Sequence, residues 1–299
     1  METYKMKDLG EIKHYLGMNI KRDRENATLF VTQEQYIHNL LKTFKMSECK
    51  IVSTPLEAKS KIDSTFKDNI GKPARDVPYQ NLGALMYLVV CTRPDIAYSV
   101  SHLSQFNQNP NEEHWKNAKH ILRYLKGTAD KGLMFEKSNQ GISGYVDADW
   151  AGDTIDRKSY SGYVYTYGSA PITWESKKQR SVALSRTEAE YMRLAEAAKE
   201  ACFLGNLYQE IRNCNVHITL YNDNQGAQKL AQNPIFHKRS KHIDIRYHFI
   251  RQVLPEKKLE IRYSPTDVLC ADMLTKSLRR QKHDLFTNML LKSPLSINA

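Results

Sequence analysis

Apolar and polar residues alternate at strand spacing near the start of the chain and recur at helical spacing soon afterwards. Residues 11–20 and 27–32 alternate on either side of a polar turn, which predicts a β-hairpin. Residues 33–44 place their apolar side chains on one stripe, which predicts a helix. The other predicted elements of this part are a long polar loop at 54–78, a helical stretch at 79–106 that breaks before Pro94, and a helix at 111–125.

The pattern changes from residue 141 onward, where short strands come first and then alternate with helices. Three closely spaced strands indicate an antiparallel meander. The alternation that follows predicts parallel members in the same sheet and helices on both of its faces. The predicted elements are strands at 141–150, 161–167, 170–176, 216–222 and 258–263, and helices at 187–212, 225–231, 242–254 and from Thr266 onward.

Composition and charge narrow the class of protein. A chain of 299 residues with 41% hydrophobic residues is long enough for two domains that each bury a core. The net charge of +11 favours an anionic partner, nucleic acid before a membrane surface. Five scattered cysteines without a CxxC pair argue against a disulfide framework or zinc site and favour a reducing compartment. Without a signal-like start or a bilayer-spanning apolar run, we expect a soluble intracellular chain.

Two aspartates lie on one face of the strand predicted at 141–150. Because side chains alternate along a strand, Asp147 and Asp149 project from the same side. Aspartate is also common where a strand runs into a turn. The spacing by itself therefore leaves two interpretations open, a solvated face and a cation site.

Three later acids each have a local explanation as well as a chemical one. Glu188 forms a capping box with Ser185, yet its helical stripe is otherwise apolar, so it points toward the buried side, where an unpaired acid is costly. Asp223 follows a predicted strand directly, so capping of the next helix is the alternative to cation binding. Asp272 falls inside the last predicted helix, where an ion pair with Lys276 at i+4 is the alternative.

Together these acids form a more specific signal than any one of them. An aspartate on a strand, a glutamate on a helix, an aspartate at a strand end and a late aspartate are the set needed to hold two divalent cations. Hard cations such as Mg²⁺ prefer oxygen ligands. Two of them roughly 4 Å apart can activate a water and stabilise the leaving oxygen of a phosphodiester. The set therefore predicts metal-dependent cleavage of nucleic acid.

Six motifs follow one another over residues 141–280. They are GYVDADWAGD at 144–153, SYSGY at 159–163, VALSRTEAEY at 182–191, NDNQGA at 222–227, KHIDIRYH at 241–248 and ADMLTK at 271–276. Together they resemble the ribonuclease H domain of Pol polyproteins from copia-type LTR retrotransposons. In the first half, MKDLGEIKHYLG at 6–17 resembles the end of a reverse-transcriptase palm, and 79–127, with TRPDIA at 92–97, resembles a thumb or connection region.

The resemblance implies a fold class and a domain organisation. The fold is expected to be α/β, a ribonuclease H-like five-stranded mixed sheet with flanking helices, preceded by a small β-hairpin and a helical thumb- or connection-like domain. The expected divisions are the palm end and thumb or connection region at 1–135, the ribonuclease H-like domain at 141–280 and a C-terminal tail at 281–299. The sequence lacks the aromatic-x-Asp-Asp motif of polymerases, so polymerase activity is not expected from this chain alone.

The resemblance also implies a site. The expected catalytic residues, which are also the expected metal ligands, are Asp147, Glu188, Asp223 and Asp272. Position matching selects Asp147 over Asp149 and Glu188 over Glu190. The implied cofactor is a pair of Mg²⁺ ions, with Mn²⁺ as the alternative. Arg186 and Asn222 depart from the family pattern, and we expect neither to touch a ligand.

The expected activity is endonucleolytic hydrolysis of the RNA strand of RNA–DNA hybrids during retrotransposon reverse transcription. Two basic loops are expected to contact hybrid phosphates, although a solvated loop remains the alternative for each. Their residues are Lys177, Lys178, Arg180, His237, Lys238, Arg239, Lys241 and His242. Trp150 and Trp174 are expected to lie in the core rather than to stack on bases.

The expected partners are an RNA–DNA hybrid and the remainder of a reverse transcriptase, without a membrane. The resemblance implies a cytoplasmic location in a virus-like particle, with the nucleus as the alternative. Two functions from other classes stay open. One is a non-catalytic nucleic-acid-binding remnant of an element or co-opted gene, and the other is a module that grips template and primer.

Overall fold

A four-stranded antiparallel sheet organises the first half of the chain. The computed structural model describes residues 7–8, 10–58, 83–138, 140–150, 152, 156–232, 249–250, 254 and 259–294. The strands of this sheet are β1 His14–Tyr15, β2 Met18–Asp23, β3 Thr28–Thr32 and β4 Leu133–Glu136. They follow the order β1-β2-β3-β4, and each neighbouring pair is antiparallel. The predicted hairpin is confirmed as β2 and β3.

Helices of the first half pack beside this sheet. Their bounds are α1 Glu34–Thr43, α2 Gly83–Cys91, α3 Ala97–Ser104 and α4 Glu112–Gly127, with a 3₁₀ turn at Pro94–Ile96. Helices α1 and α4 each have one apolar stripe, whereas α2 is apolar on all sides. The helices meet in a common core that includes Ile37, Leu88 and Leu122. Helix α4 starts where it does because the Asn111 side chain accepts a hydrogen bond from the His114 N–H, while the His114 ring accepts one from the Asn111 N–H.

A five-stranded mixed sheet organises the second half. Its strands are β5 Ile142–Asp149, β6 Tyr160–Tyr167, β7 Ala170–Lys178, β8 Ile218–Asn222 and β9 Leu259–Tyr263. Their order is β7-β6-β5-β8-β9. The first three strands are antiparallel neighbours, whereas β5 pairs parallel with β8 and β8 with β9. The predicted ribonuclease H-like mixed sheet, with its antiparallel meander, is confirmed.

The two faces of this sheet are covered by different parts of the chain. The helices of the second half are α5 Arg186–Arg212, α6 Gln225–Gln232 and α7 Arg280–Leu290, with a 3₁₀-helix at Cys270–Leu274. On one face Val146 packs against Leu194 of α5. On the other face Val164 and Phe286 share a buried cluster with Leu133 of β4. The sheet is therefore covered on this side by residues from both halves.

A buried ion pair joins α7 to the first half. The Arg93 guanidinium donates to both carboxylate oxygens of Asp95, at 2.9 and 2.7 Å, and both side chains are fully buried. The Tyr124 hydroxyl donates to Asp95 at 2.7 Å, and the His283 ring of α7 lies 3.3 Å from the Asp95 carbonyl oxygen. A buried charge pair is tolerated only when its remaining polar atoms are also bonded, which these contacts provide.

A backbone bridge ties a residue just after α7 to the residue before β4. Gly132 and Lys292 exchange two backbone hydrogen bonds, each of 2.9 Å, as an isolated antiparallel bridge. A Cβ atom at position 132 would collide with the Val31 carbonyl oxygen, so glycine alone fits there. The bridge therefore holds the end of the second half against the first sheet.

The structure differs from the sequence-based expectations at two places. Residues 133–136, for which the sequence pattern predicts no strand or helix, form β4. The helix expected from Thr266 onward is wrong: turns lead into the 3₁₀-helix at Cys270–Leu274, and a separate helix, α7, covers much of the expected tail. The helix expected at 242–254 lies mostly outside the described residues. In the described parts of the chain, no helix combines the length and apolarity needed to cross a membrane.

Candidate metal-binding site

Three carboxylates meet where β5, β8 and α5 come together. Each of Asp147, Glu190 and Asp223 offers an oxygen, and these oxygens all lie within 4.8 Å of one another. Asp147 lies near the end of β5, Asp223 follows β8 directly, and Glu190 lies in the second turn of α5. Because β5 and β8 are parallel neighbours, their carboxyl ends lie at the same edge of the sheet, which brings the two aspartates together.

Glu190 occupies this group instead of Glu188, the glutamate chosen from the sequence. The Glu188 carboxylate accepts a hydrogen bond from the Leu184 N–H at 2.7 Å, and its own N–H donates to the Ser185 hydroxyl at 3.1 Å. Glu188 therefore caps the start of α5, which is the alternative to metal binding that its sequence motif predicts. Residues two apart on a helix point about 200° apart, so only one of them can face the aspartates.

A neutral donor holds one oxygen of each carboxylate in the group. The Asn222 amide donates to Glu190 Oε2 at 3.0 Å and to the Val146 carbonyl at 3.2 Å. The Thr275 hydroxyl donates to Asp147 Oδ2, and the Thr266 hydroxyl donates to Asp223 Oδ2, each at 2.5 Å. Donors of this kind fix the orientation of metal-binding carboxylates.

Arg186 and Asn222 both touch the acidic group, against the expectation from sequence. Asn222 is fully buried and bonds to Glu190, as described above. The Arg186 guanidinium lies 3.4 Å from Asp223 Oδ2, although its side chain is 60% exposed. An exposed arginine of this kind neutralises part of the acidic charge only weakly.

Two carboxylate oxygens in the group have no hydrogen-bond partner among the described residues. They are Glu190 Oε1 and Asp223 Oδ1, and both are buried. A buried acceptor without a donor is costly, and a carboxylate oxygen is the ligand that hard divalent cations prefer. The donor set and its unsatisfied atoms therefore fit Mg²⁺ or Mn²⁺.

Burial and the charges of neighbouring acids disfavour the ionised forms of Asp147 and Glu190. Burial raises the pKa of Asp147 to about 6, with a downward contribution from Lys276 and upward ones from Asp272 and Asp223. The pKa of Glu190 lies well above its usual range, chiefly through burial and then through the charges of Asp147 and Asp223. Bound cations would remove this repulsion.

Asp272 lies beside the group on the 3₁₀-helix and is held by two lysines. Its side chain is fully buried, and it makes ion pairs with Lys276 and with Lys282 of α7, the latter at 2.7 Å. The ion pair of Asp272 with Lys276, which the sequence indicates as the alternative to cation binding, is thus present. Burial lowers the pKa of Lys276, but the charges of Asp147 and Asp272 outweigh it, so the net shift is upward.

The basic residues expected to contact nucleic acid are only partly described. Residues 237–242, which include five of them, lie outside the described residues. The other three, Lys177, Lys178 and Arg180, line a cavity of about 440 Å³ together with Lys199. Lys178 is already paired, since its ammonium group lies 3.0 Å from an Asp156 carboxylate oxygen. Two glutamates also line the cavity: Glu175 lies 3.8 Å from the Lys177 ammonium group, and Glu196 lies 2.9 Å from that of Lys199. The wall of the cavity therefore carries charges of both signs, with more cations than acids.

Trp150 is largely exposed, which corrects the expectation that it lies in the core. It directly follows β5, and 48% of it is accessible to solvent. Its indole N–H donates to the Ala183 carbonyl at 3.3 Å. Trp174, by contrast, packs beside a buried cluster and donates to the Val89 carbonyl at 2.7 Å. Trp150 is exposed and Trp174 is partly buried, so only Trp174 fits the expectation.

Comparison of sequences finds relatives among transposon polyproteins. The chain is 43% identical over 289 residues to the retrovirus-related Pol polyprotein from transposon TNT 1-94 of Nicotiana tabacum, covering 95% of this chain and 22% of that protein. It is 38% identical over 295 residues to the corresponding polyprotein from transposon RE1 of Arabidopsis thaliana, covering 97% and 20%. The chain thus spans about a fifth of the length of these relatives. No protein-family model matches the chain.

Comparison of structures finds ribonucleases H. LC11-RNase H1, isolated from compost by a metagenomic approach, is 16% identical and matches with a TM-score of 0.37, covering 45% of this chain and 92% of that one. A likeness at this level carries no argument about substrate or activity.

Proposed function

Because the chain belongs to the retrovirus-related Pol polyproteins of copia-type transposons, we propose that its second half hydrolyses the RNA strand of RNA–DNA hybrids. The buried group of Asp147, Glu190 and Asp223 at the adjoining ends of β5 and β8 carries this proposal. Carboxylates that crowd together with unsatisfied oxygens suit a site for divalent cations. Such cations, in turn, attract the phosphates of a nucleic acid.

The acidic group would hold the cations from three elements. Asp147, Glu190 and Asp223 supply the converging oxygens, and Asp272 would complete the set from the 3₁₀-helix. When bound, a pair of Mg²⁺ or Mn²⁺ ions supplies an activated water and stabilises the leaving oxygen of the phosphodiester. This set keeps three of the four acids expected from the sequence and replaces Glu188 with Glu190.

The neighbouring side chains would prepare the site before any substrate arrives. The Thr275, Thr266 and Asn222 donors each hold one carboxylate oxygen, so the carboxylates need little rearrangement. Lys276 and Lys282 make ion pairs with the buried Asp272 carboxylate. These hydrogen bonds and ion pairs offset part of the electrostatic repulsion among the four acids.

Substrate would be held along the cavity that Lys177, Arg180 and Lys199 line. Cations of this kind suit the phosphates of one strand. Preference for a hybrid would come from contacts to 2′-hydroxyl groups, because these distinguish RNA from DNA. His237 and His242 stay predictions as nucleic-acid contacts, together with Lys238, Arg239 and Lys241.

The test compares the full chain with its Asp147→Asn variant on a labelled RNA–DNA hybrid in Mg²⁺. We expect cleavage of the RNA strand by the unchanged protein. Loss of a ligand should reduce the rate by about a hundredfold or more, since even outer partners of metal ligands cost 10–100-fold. Hybrid affinity measured without divalent cations should be retained in the variant.

The same experiment separates the two other classes of function. A folded chain that binds the hybrid in a salt-sensitive way but never cleaves it would be a non-catalytic binding remnant. A chain that prefers template–primer junctions and only stimulates a polymerase added in trans would be a gripping module. Either result contradicts the proposed hydrolysis.

A further inference from the structure

Three large apolar side chains lie exposed at the rim of the acidic group. Trp150, Val182 and Leu184 are 48%, 46% and 72% exposed. They form one patch, here called the apolar ledge, because the Trp150 indole N–H bonds to the carbonyl of Ala183, the residue between the other two. Ala183 itself is buried in a small cluster with Ala148 of β5, so the loop is anchored beneath the ledge.

The residues of the ledge adjoin the elements that carry two of the acids. Trp150 is three residues beyond Asp147 and directly follows β5. Leu184 precedes α5, which carries Glu190, and its N–H donates to the Glu188 carboxylate at the start of the helix. We expect a strand whose phosphate reaches the acidic group to pass near the indole ring.

Gly152 lies close to a side chain of β5. A Cβ atom at Gly152 would collide with the Asp149 carboxylate, so glycine is what this close approach requires. The Trp150 ring bonds to the Ala183 carbonyl and belongs to no buried cluster of the described residues.

Charge around the ledge favours one class of occupant. Lys177 and Arg180 lie on the segment that leads to Val182, and the exposed Arg186 follows Leu184. Exposed apolar side chains between cations and an acidic group that fits metal ions match a nucleotide, which combines an anionic phosphate with apolar base and sugar faces. Aromatic side chains bind such faces without demanding a particular base.

We propose that Trp150, supported by Val182 and Leu184, packs against a nucleotide next to the phosphodiester held at the acidic group, and so sets which bond is cut. This role rests on the proposed function for the cut, but the nucleic-acid contact does not depend on turnover. Trp150 is a positioning residue here, because it touches the substrate away from the reacting atoms.

Tryptophan fluorescence tests the contact in the full chain without divalent cations. The chain has three tryptophans, and the other two, Trp115 and Trp174, pack against buried clusters. Titration with an RNA–DNA hybrid should quench the exposed Trp150, and the Trp150→Phe variant should lose that quenching while keeping most of its affinity.

Affinity and cleavage pattern test the positioning. Trp150→Ala should weaken hybrid binding by roughly fivefold to 150-fold, the range of one lost stacking contact. In Mg²⁺, KM should rise more than kcat falls, and the cut positions should spread. Leu184→Asn should weaken binding in the same direction, which provides a second variant that spares the indole hydrogen bond.

The matched control is Phe203→Ala, which removes another exposed apolar side chain, 58% accessible, from the far half of α5. It should change neither affinity nor cut positions. Unchanged hybrid affinity in folded Trp150→Ala and Leu184→Asn would overturn the proposal, as would a loss of self-association as the only effect. Quenching and weakened binding in a chain that never cleaves would support the contact while contradicting the proposed hydrolysis.

Discussion

At the scale of single residues, a separation of two positions decides which glutamate joins the acidic group. Glu188 and Glu190 are both buried, and both belong to the same motif. Hydrophobic periodicity indicates that an acid here faces inward, but it does not say which neighbour that acid meets. The cap at the start of α5 occupies Glu188, and the approach of β8 brings Asn222 to Glu190. Only the three-dimensional arrangement makes this distinction.

A matched pair of substitutions checks this assignment. Glu190→Gln should lower hybrid cleavage by about a hundredfold or more and weaken Mg²⁺ binding in calorimetry, since it neutralises a converging ligand. Glu188→Gln keeps an acceptor for the Leu184 N–H, so it should cost about 1 kcal/mol of stability at most and retain activity. The reverse result, with Glu188→Gln inactive and Glu190→Gln active, would restore the original choice.

The pKa of Asp147 predicts how the cation-free protein responds to pH. Burial raises this pKa from 3.8 to about 6, so the folded state keeps a proton that the unfolded state has lost. The contribution of Asp147 to the free energy of unfolding should therefore fall as pH rises from about 4 to about 6. Asp147→Asn cannot titrate, so its thermal midpoint in a chelator should decline less over this range. Identical pH profiles for the two proteins would contradict the prediction.

At the scale of elements, strongly patterned segments are predictable and context-dependent ones are not. Helix α5 spans Arg186–Arg212, where the sequence predicts 187–212, and all five strands of the mixed sheet lie close to their expected positions. Strand β4 has only four residues, too few for its pattern to be read. The stretch around Asp272 forms a 3₁₀-helix instead of an α-helix because it is packed into a cluster shared with the first half.

A prediction at this scale concerns the buried Arg93–Asp95 pair, which His283 of α7 contacts. Asp95→Asn leaves the Arg93 charge buried without its counter-ion, which should lower the free energy of unfolding by about 3–5 kcal/mol. The control is Asp284→Asn on α7, whose partner Arg280 is 74% exposed, and it should change stability by less than about 1 kcal/mol. Urea unfolding measures both. Equal midpoints for the two variants would contradict a stabilising role of the buried pair.

At the scale of the whole molecule, the two halves share a core instead of meeting at a polar surface. One buried cluster combines Leu133 of the first sheet, Val164 of the second sheet and Phe286 of α7. Trp174 of β7 also bonds to the Val89 carbonyl of α2. The division into residues 1–135 and 141–280 therefore stays a prediction about sequence relationships, because α7 belongs structurally to both parts. Local sequence pattern cannot reveal such sharing, since it records only which residues are buried.

The bridge between Gly132 and Lys292 closes a loop of backbone around the mixed sheet and its acids. Strand β4 continues from Gly132 in the first sheet before the chain crosses to β5, so the mixed sheet is tied to the first half at both of its ends. Both bonds of the bridge join main-chain atoms. A substitution of the Lys292 side chain therefore leaves the bridge in place, whereas removal of the residue itself opens it.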